Sequence, residues 1–451
     1  MDKAMRGVLV ILWLTIFQAV ACAQPWEDIP DAPLGFIYGM TADESEMYLA
    51  VQISGQELPN QVHGFDGASW GHLSDTVFGN GQNPIRGLSI YQGTPYCYHL
   101  GDLSNRGVHM YDGTGWQLIG EMPFGMVQGA KVFNDTLYIF GQFREINGDT
   151  NLRQIVKYDG EQFTPAAAPL SYRPEVGLEP VVKDIHFYNG ELYAVGDMKT
   201  SSGKYHIARW DGQQWNDVGD GFPYSSYPSK LLEYNGYLLI NQSPVSYSGT
   251  SNGLVAWDGQ QFHGMGQITC DHLAGVSHMT VHDGKLWVAG DCSDNPGFHH
   301  YFASYDGERW CEYGFVESAK YMTVFQDRMY AYLLHYPNGP VHRFVRWLDE
   351  TEPDWCGEPV YMGIEDGVQS HLELSIHPNP TNSTTTITWQ GQNQGNYQLQ
   401  LYDAQGRRVA PPVTSPRNGE WQMDMRGLAP GIYFGRLEVG EEMRNFKVVR
   451  Q

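Results

Sequence analysis

The side chains that could carry chemistry in this chain are its histidines, carboxylates and cysteines. Sixteen histidines are present, and His278, His282, Cys292, His299 and His300 fall within one short stretch. Their spacing matches no zinc pattern, because a tetrahedral site needs ligands at defined intervals on converging elements. Asp291-Cys-Ser-Asp-Asn-Pro-Gly297 is rich in oxygen donors but lacks the spacing of a calcium loop. The chain has no Gly-x-Ser-x-Gly elbow, phosphate loop or His-Glu-x-x-His pair. Carboxylates are plentiful, so a glycosidase pair is chemically available, but spacing along the chain singles out no pair at catalytic separation. No catalytic, cofactor-binding or metal-ligating residue is therefore named, and turn and surface roles are expected for these groups.

One carboxylate does recur. Asp66, Asp112, Asp159, Asp211, Asp258 and Asp306 each follow an aromatic residue and precede glycine, with Trp70, Trp116, Phe163, Trp215, Phe262 and Trp310 four residues on. A worn seventh copy is Phe344-Val-Arg-Trp-Leu-Asp349, followed by Trp355. The repeat is about 47 residues long. Seven equivalent aspartates point to a structural role: the carboxylate accepts N–H bonds within its own turn and glycine supplies the positive φ. The aromatic plates are expected to pack between successive repeats.

Upstream of each Asp-Gly lies a second hairpin signal. Examples are Lys131–Gly141, Ile185–Gly196 and Met279–Gly290, two apolar runs joined by a polar pair such as Asn189-Gly190 or Asp283-Gly284. Two hairpins per repeat make four strands, and four strands in about 47 residues match a propeller blade rather than a solenoid coil. The expected fold is all-β: a seven-bladed β-propeller of four-stranded blades over 24–357, a linker at 358–371 and a small β-sandwich at 372–451. Ring closure is ambiguous from sequence. Trp26-Glu-Asp28 and Trp355 both look like the outer strand of the last blade.

Charge divides the chain at the same place. Eight of the 28 basic and seven of the 51 acidic residues fall at 369–451, so that stretch carries +1 while 1–368 carries −24. The acidic balance argues against nucleic acid or an anionic membrane surface as partner. Residues 1–23 read as an export signal, with Lys3 and Arg6, an apolar run from Gly7 to Val20, and Ala21-Cys-Ala23 before the cleavage point. Lipoprotein processing at Cys22 is the rival reading. No stretch is apolar enough for a transmembrane helix in the mature chain. Five cysteines then remain. Cys97 is expected to be a buried free thiol, and a Cys270–Cys292 bridge is favoured because both should lie at one end of the sixth blade. A Cys311–Cys356 bridge is the second pairing, disfavoured because the outer strands of adjacent blades diverge.

After the repeats, strands are expected at 372–376, 384–389, 397–402, 421–425, 432–439 and 444–449. The segment 375–451 resembles the C-terminal sorting domain of the Bacteroidetes type IX secretion system, type A. The likeness rests on Pro378-Asn379-Pro380, then Tyr402-Asp403 with Gly406-Arg407, then Gly427-Leu428, Pro430-Gly431 and Tyr433, and finally Phe446-Lys447-Val448-Val449. His377 and Arg450 stand where an aromatic residue and lysine are commoner. The resemblance implies export through the inner membrane, engagement of the type IX secretion machinery, and release or attachment at the outer cell surface. A looser resemblance links 35–357 to kelch-type and galactose-oxidase-like propellers, without the kelch double glycine, and implies shape alone.

The function expected is a non-enzymatic module binding a glycan or a protein on one end of the ring. Insertions at 144–153, 171–178 and 243–253 and the aromatic Phe222–Pro228 loop would shape that end. The alternative is a secreted hydrolase or lyase acting on polysaccharide, which predicts converging carboxylates or a His/Tyr pair in a central cleft.

Overall fold

A computed structural model describes residues 26–33, 35–52, 61–74, 85–99, 106–171, 179–223, 226–241, 253–266, 273–294, 297–313, 318–335, 341–348, 351–353, 355–357, 373–390, 397–403, 408–409, 411, 419–439 and 442–451. The export signal, Cys270, the 358–371 linker and most of the two later insertions lie outside the described residues. Among the described residues every element is a β-strand.

Residues 26–356 form seven antiparallel sheets, six of them four-stranded and one five-stranded. The first contains Phe36–Ala42, Met47–Gln52, Gln61–Phe65 and Trp70–Ser74 in sequential order, and the next four repeat that meander. Both turns of each unit follow from sequence. In the first hairpin, Asn189-Gly190, Asn235-Gly236, Asp283-Gly284 and Gln92-Gly93 all have positive φ at both positions, as a two-residue hairpin requires. In the second, Asp Oδ1 accepts the N–H groups two and three residues on, at 2.8 and 2.9 Å for Asp211 and 2.8 and 2.8 Å for Asp306. The glycine after it sits at φ +91 to +104° in six repeats.

The cores lie between sheets. Seven clusters of buried side chains each join two neighbours, and in sequence they pass once around the whole set. The last cluster packs Met47 and Leu49 of the first sheet against Phe325 and Tyr330 of the seventh, which closes the ring of a β-propeller. The repeated aromatics serve these seams as expected. Tyr305 and Trp310 are fully buried with ring centroids 5.0 Å apart, and the Trp310 indole N–H donates to the Met265 carbonyl of the preceding sheet at 2.6 Å. Tyr188 and Tyr234 hydroxyls donate forward, to the carbonyls of Gly236 and Gly284 in the next sheet's hairpin turn.

The structure resolves the two rivals for the closing strand. Trp26–Asp28 pairs with Val341–Trp347 and takes the outer place of the seventh sheet. Trp26 is buried against Phe302 and Trp347, and Asp28 pairs with Arg343 at 2.8 Å. With that place filled, Trp355-Cys356 crosses back and adds a fifth strand to the sixth sheet beside Trp310–Glu312. Cys356 then stands directly opposite Cys311, and the two form a disulfide. The expected divergence of adjacent outer strands does not apply, because both cysteines belong to one sheet. Cys97 is a buried free thiol, held protonated by burial.

Residues 373–450 form a second unit with a three-stranded and a four-stranded sheet. Ile387, Leu401, Trp421, Met423, Leu437 and Val448 fill the core of this sandwich.

Candidate functional site

The two ends of the ring are built differently. Each innermost strand starts at one end and finishes in a short hairpin turn at the other. The Asp-Gly turns share the second end. The connections between second and third strands, and between sheets, therefore all leave from the first end, which is the end the expected insertions would shape.

At that first end the innermost strands carry a shared irregularity. Six of seven have a β-bulge near the start, between Ile37 and Gly39, Ile85 and Gly87, Val127 and Gly129, Val182 and Asp184, Val276 and His278, and Ala319 and Tyr321. In the fifth sheet the Asn241 side-chain oxygen accepts the N–H groups of Ser229 and Lys230, at 2.8 and 2.7 Å, just before its innermost strand begins. Gly196 permits the fourth bulge, since a Cβ there would stand 2.0 Å from the Val181 carbonyl oxygen. A bulge inserts one residue and re-aims its side chain. The inserted residues are Tyr38, Arg86, Gln128, Lys183, Ser277 and Lys320, with Lys230 in the corresponding region of the fifth sheet.

The charges at this end act on one another's neighbours. His278 is pushed down to about 3, first by burial and then by Lys230 and Lys320 on the sheets either side. Burial raises the Tyr321 hydroxyl, and Arg86, two sheets away, opposes that rise. Lys131 projects from the third sheet to the Asp184 carboxylate at 2.7 Å and to the carbonyls of Ile185 and Leu231 at 3.1 and 3.3 Å, spanning three sheets. Burial pulls the Lys131 ammonium down, Asp184 opposes, and Lys230 adds to the lowering. Asp184 also accepts the Ile185 and Leu231 N–H groups, so it is fully engaged. Lys183 pairs with Asp197 at 3.4 Å and lies 5.6 Å from the ring of the exposed Tyr227. His278 and Tyr321 rings are 5.4 Å apart.

The sequence reasoning named none of Arg86, Lys183, Lys230 and Lys320. The signal was available, because Arg86, Lys183 and Lys320 each stand six residues before the first residue of their hairpin turn. The histidine stretch it did consider is dispersed. His300 pairs with Asp291 at 2.6 Å on an adjacent strand, while His278 belongs to the innermost strand. Among the described residues no group of three or more His, Cys, Asp or Glu is placed to hold a metal ion. A cleft of about 380 Å³ at the ring seam is lined by Glu27, Pro30, Phe65, Trp70 and Arg346. Arg346 pairs with Glu27 there and the Trp70 indole N–H donates to the Pro30 carbonyl, so these groups serve closure.

In the sandwich, the motifs at the two ends of the domain meet. Asn379 Nδ2 donates to the Lys447 carbonyl at 2.7 Å, and its Oδ1 accepts the Val449 N–H at 2.8 Å. Thr381 N–H donates to the Val449 carbonyl, and the Tyr433 hydroxyl donates to the Ala429 carbonyl at 2.7 Å. Tyr402 bonds to Gln400, and Gly427, Leu428, Pro430 and Gly431 form the approach to the strand bearing Tyr433. Gly406 and Arg407 lie outside the described residues, as does the Asp403 side chain.

The molecule is thus an all-β propeller carrying a C-terminal sandwich. Residues 375–451 match the family described as the secretion system C-terminal sorting domain, and that segment is such a domain. The protein is accordingly one that is secreted or held at the outer cell surface and engages the secretion machinery. Among the described residues no helix is long and apolar enough to cross a membrane. Among curated proteins none matches the chain. Solved structures similar to it include a Trypanosoma rangeli sialidase in complex with 2,3-difluorosialic acid, at 10% identity over 91% of this chain and 83% of that one, TM-score 0.34. Others are a Bacillus halodurans xylan beta-1,4-xylosidase, at 10% identity, 93% and 89% coverage and TM-score 0.27, and a Bombyx mori beta-fructofuranosidase in complex with sucrose, at 13%, 95% and 89%, and 0.26. At these scores no residue correspondence follows.

Proposed function

We propose that this chain is an exported, ring-shaped binding module that takes a glycan or a protein on the bulged end of its propeller. In this reading residues 1–23 are a cleaved export signal, 24–357 the propeller, 358–371 a linker and 372–451 the sorting unit, read by the type IX machinery. The kelch-type likeness is kept as one of shape, supported by the four-stranded Asp-Gly unit. The observation that carries the binding reading is the contrast within the repeat. The Asp-Gly turn holds the same two residues in six of the seven sheets, whereas the bulge position holds tyrosine, arginine, glutamine, lysine and serine on equivalent backbone. Side chains that differ on an identical scaffold are free for recognition.

The second reading, a polysaccharide hydrolase or lyase, is favoured by one observation, the His278–Tyr321 pair in the ring centre. Its chemistry is weak there. An imidazole pushed down to about 3 is a poor general base. The Tyr321 hydroxyl already donates to the Tyr38 carbonyl at 2.9 Å and is raised by burial. One experiment tests both readings. The purified full chain is presented with a panel of immobilised polysaccharides and surface proteins, while reducing ends and unsaturated products are monitored. Retention of a glycan or protein without turnover is expected. Turnover abolished by H278A replaces binding with catalysis, and neither retention nor turnover rejects the propeller's assigned role. Delivery has its own test: deletion of 375–451 should strand the chain in the periplasm, and normal export of that deletion would reject the sorting role.

A further inference from the structure

We infer that the bulged end recognises a single anionic group, a carboxylate or an ester sulfate, carried on a saccharide, with Arg86, Lys230 and Lys320 as its anchors and Lys183 beside Tyr227 at the edge. This deepens the binding reading above and rests on it.

The charge distribution is the first ground. Residues 1–368 hold 20 basic and 44 acidic residues, yet the bulges and the strand starts beside them collect Arg86, Lys183, Lys230 and Lys320, with Lys131 nearby. Among the described residues two carboxylates are in contact with this set, Asp184 on Lys131 and Asp197 on Lys183. Among the described residues no carboxylate pairs with Arg86, Lys230 or Lys320. Arg86 and Lys230 are exposed and Lys320 is half-buried. Cations gathered at one mouth repel each other, so the arrangement costs free energy in the empty protein and an anion relieves it.

Register is the second ground. The three anchors come from the second, fifth and seventh sheets, with successive separations of about 144 and 90 residues along the chain; the shared bulge sets Arg86 and Lys320 at one level of the ring, and Lys230 stands immediately before the fifth sheet's innermost strand. Lys230 and Lys320 belong to the sheets on either side of the one that carries His278, and Arg86 acts on Tyr321, whose ring lies 5.4 Å from that of His278, so all three border the His278–Tyr321 pair. Burial keeps His278 from adding a charge of its own, which leaves a compact cationic rim over an aromatic floor. Arginine offers paired donors to a carboxylate or sulfate, and the lysines act as point charges.

The surrounding charge narrows the ligand further. A body at −24 repels an extended polyanion wherever the polymer runs within the screening length of about 8–10 Å of its acidic surface. A mostly neutral chain with one acidic group avoids that repulsion and still places its charge at the rim. The exposed Tyr227 ring and the exposed Gln128 amide suit the sugar that bears the group, through stacking and hydrogen bonding to hydroxyls.

The test uses the full chain and calorimetric titration with four probes: a glucuronic-acid-terminated oligosaccharide, its ester-sulfated counterpart, the uncharged glucose-terminated counterpart, and heparin. At least one singly charged probe should bind at least tenfold more tightly than the uncharged one and than heparin per site, and should weaken as salt rises. The carboxylate and sulfate arms tell which anion is preferred. R86A/K230A/K320A should lose at least tenfold, R86K/K230R/K320R should keep binding within about threefold, and R309A at the other end should change nothing. The charge-preserving variant guards against a folding defect. Equal binding of the uncharged probe, undiminished binding by the folded alanine variant, or no binding of either singly charged probe at low salt overturns the inference. Retention of a neutral glycan or of a protein would in that case leave the binding reading standing, whereas failure of the whole panel above would remove both.

Discussion

The two ends of the ring use one backbone for opposite purposes. At the turn end, the repeated aspartates are spent locally: Asp112 accepts bonds from Thr114 and Gly115 N–H groups and from the Thr114 hydroxyl. At the bulged end, Arg86, Lys230 and Lys320 stand on the same scaffold with no ion-pair partner among the described residues. Repetition at one end and variety at the other teach that the repeat encodes the ring, while its exceptions encode what the ring holds. Substitutions at the turn end and in the seams should therefore cost stability and spare binding, and substitutions at the bulged end should do the reverse.

The largest effect is expected in a seam. Trp310→Ala empties a fully buried aromatic site and orphans the Met265 carbonyl, and should cost about 3–5 kcal/mol, read from the denaturant midpoint. Next, Cys356→Ser releases the tether between the sixth sheet and the chain that follows the seventh. With the cysteines separated by 45 positions in sequence, the loss should be about 2–4 kcal/mol. Reductant should lower the melting temperature of the native chain by more than that of the variant. Gly212→Ala forces a side chain into φ +96° where nothing else obstructs it, so strain alone should cost about 1–3 kcal/mol. An unaltered melting temperature would break the assignment of that turn.

Acid should act on the turn end only gently. Hydrogen bonds from Thr114 and Gly115 hold Asp112 at about 2 in the folded chain, and the corresponding N–H groups lower Asp66, Asp159 and Asp211. Because the folded values lie below the unfolded ones, this stability is present above the ordinary carboxylate value of 3.8 and is lost as pH falls toward about 2. A melting profile should therefore decline across that window, and Asp112→Asn should flatten it. The smallest stability change is expected for R86A/K230A/K320A, within about 0.5 kcal/mol of the native chain. A loss of several kcal/mol there would show that the cations support the ring and would erase the contrast between its ends.

Much of this organisation is legible in sequence because it is local. Asp-Gly fixes its own turn through bonds two and three residues long, Asn-Gly fixes the other, and alternating apolar residues set four strands per repeat. The sorting motifs are likewise readable, since Pro378-Asn379-Pro380 and Lys447-Val448-Val449 keep their order, although only folding sets the Asn379 amide against the last strand. Other features depended on competition between distant segments. Trp26 and Trp355 carry equivalent local signals, and the choice between them fell to burial: Trp26 fits between Phe302 and Trp347, while Trp355 is left 43% exposed on the sixth sheet. The disulfide followed from that choice.

The amino-acid sequence by itself determined the repeat, the hairpins within it, the charge break and the exported C-terminal unit, because each depends on residues near one another in the chain. Only the tertiary structure decided which strand closes the ring, which cysteines meet, and that Arg86, Lys230 and Lys320 share one rim. Those outcomes arise from packing and Coulomb forces between groups far apart in sequence, which become neighbours only once the seven sheets have closed on themselves.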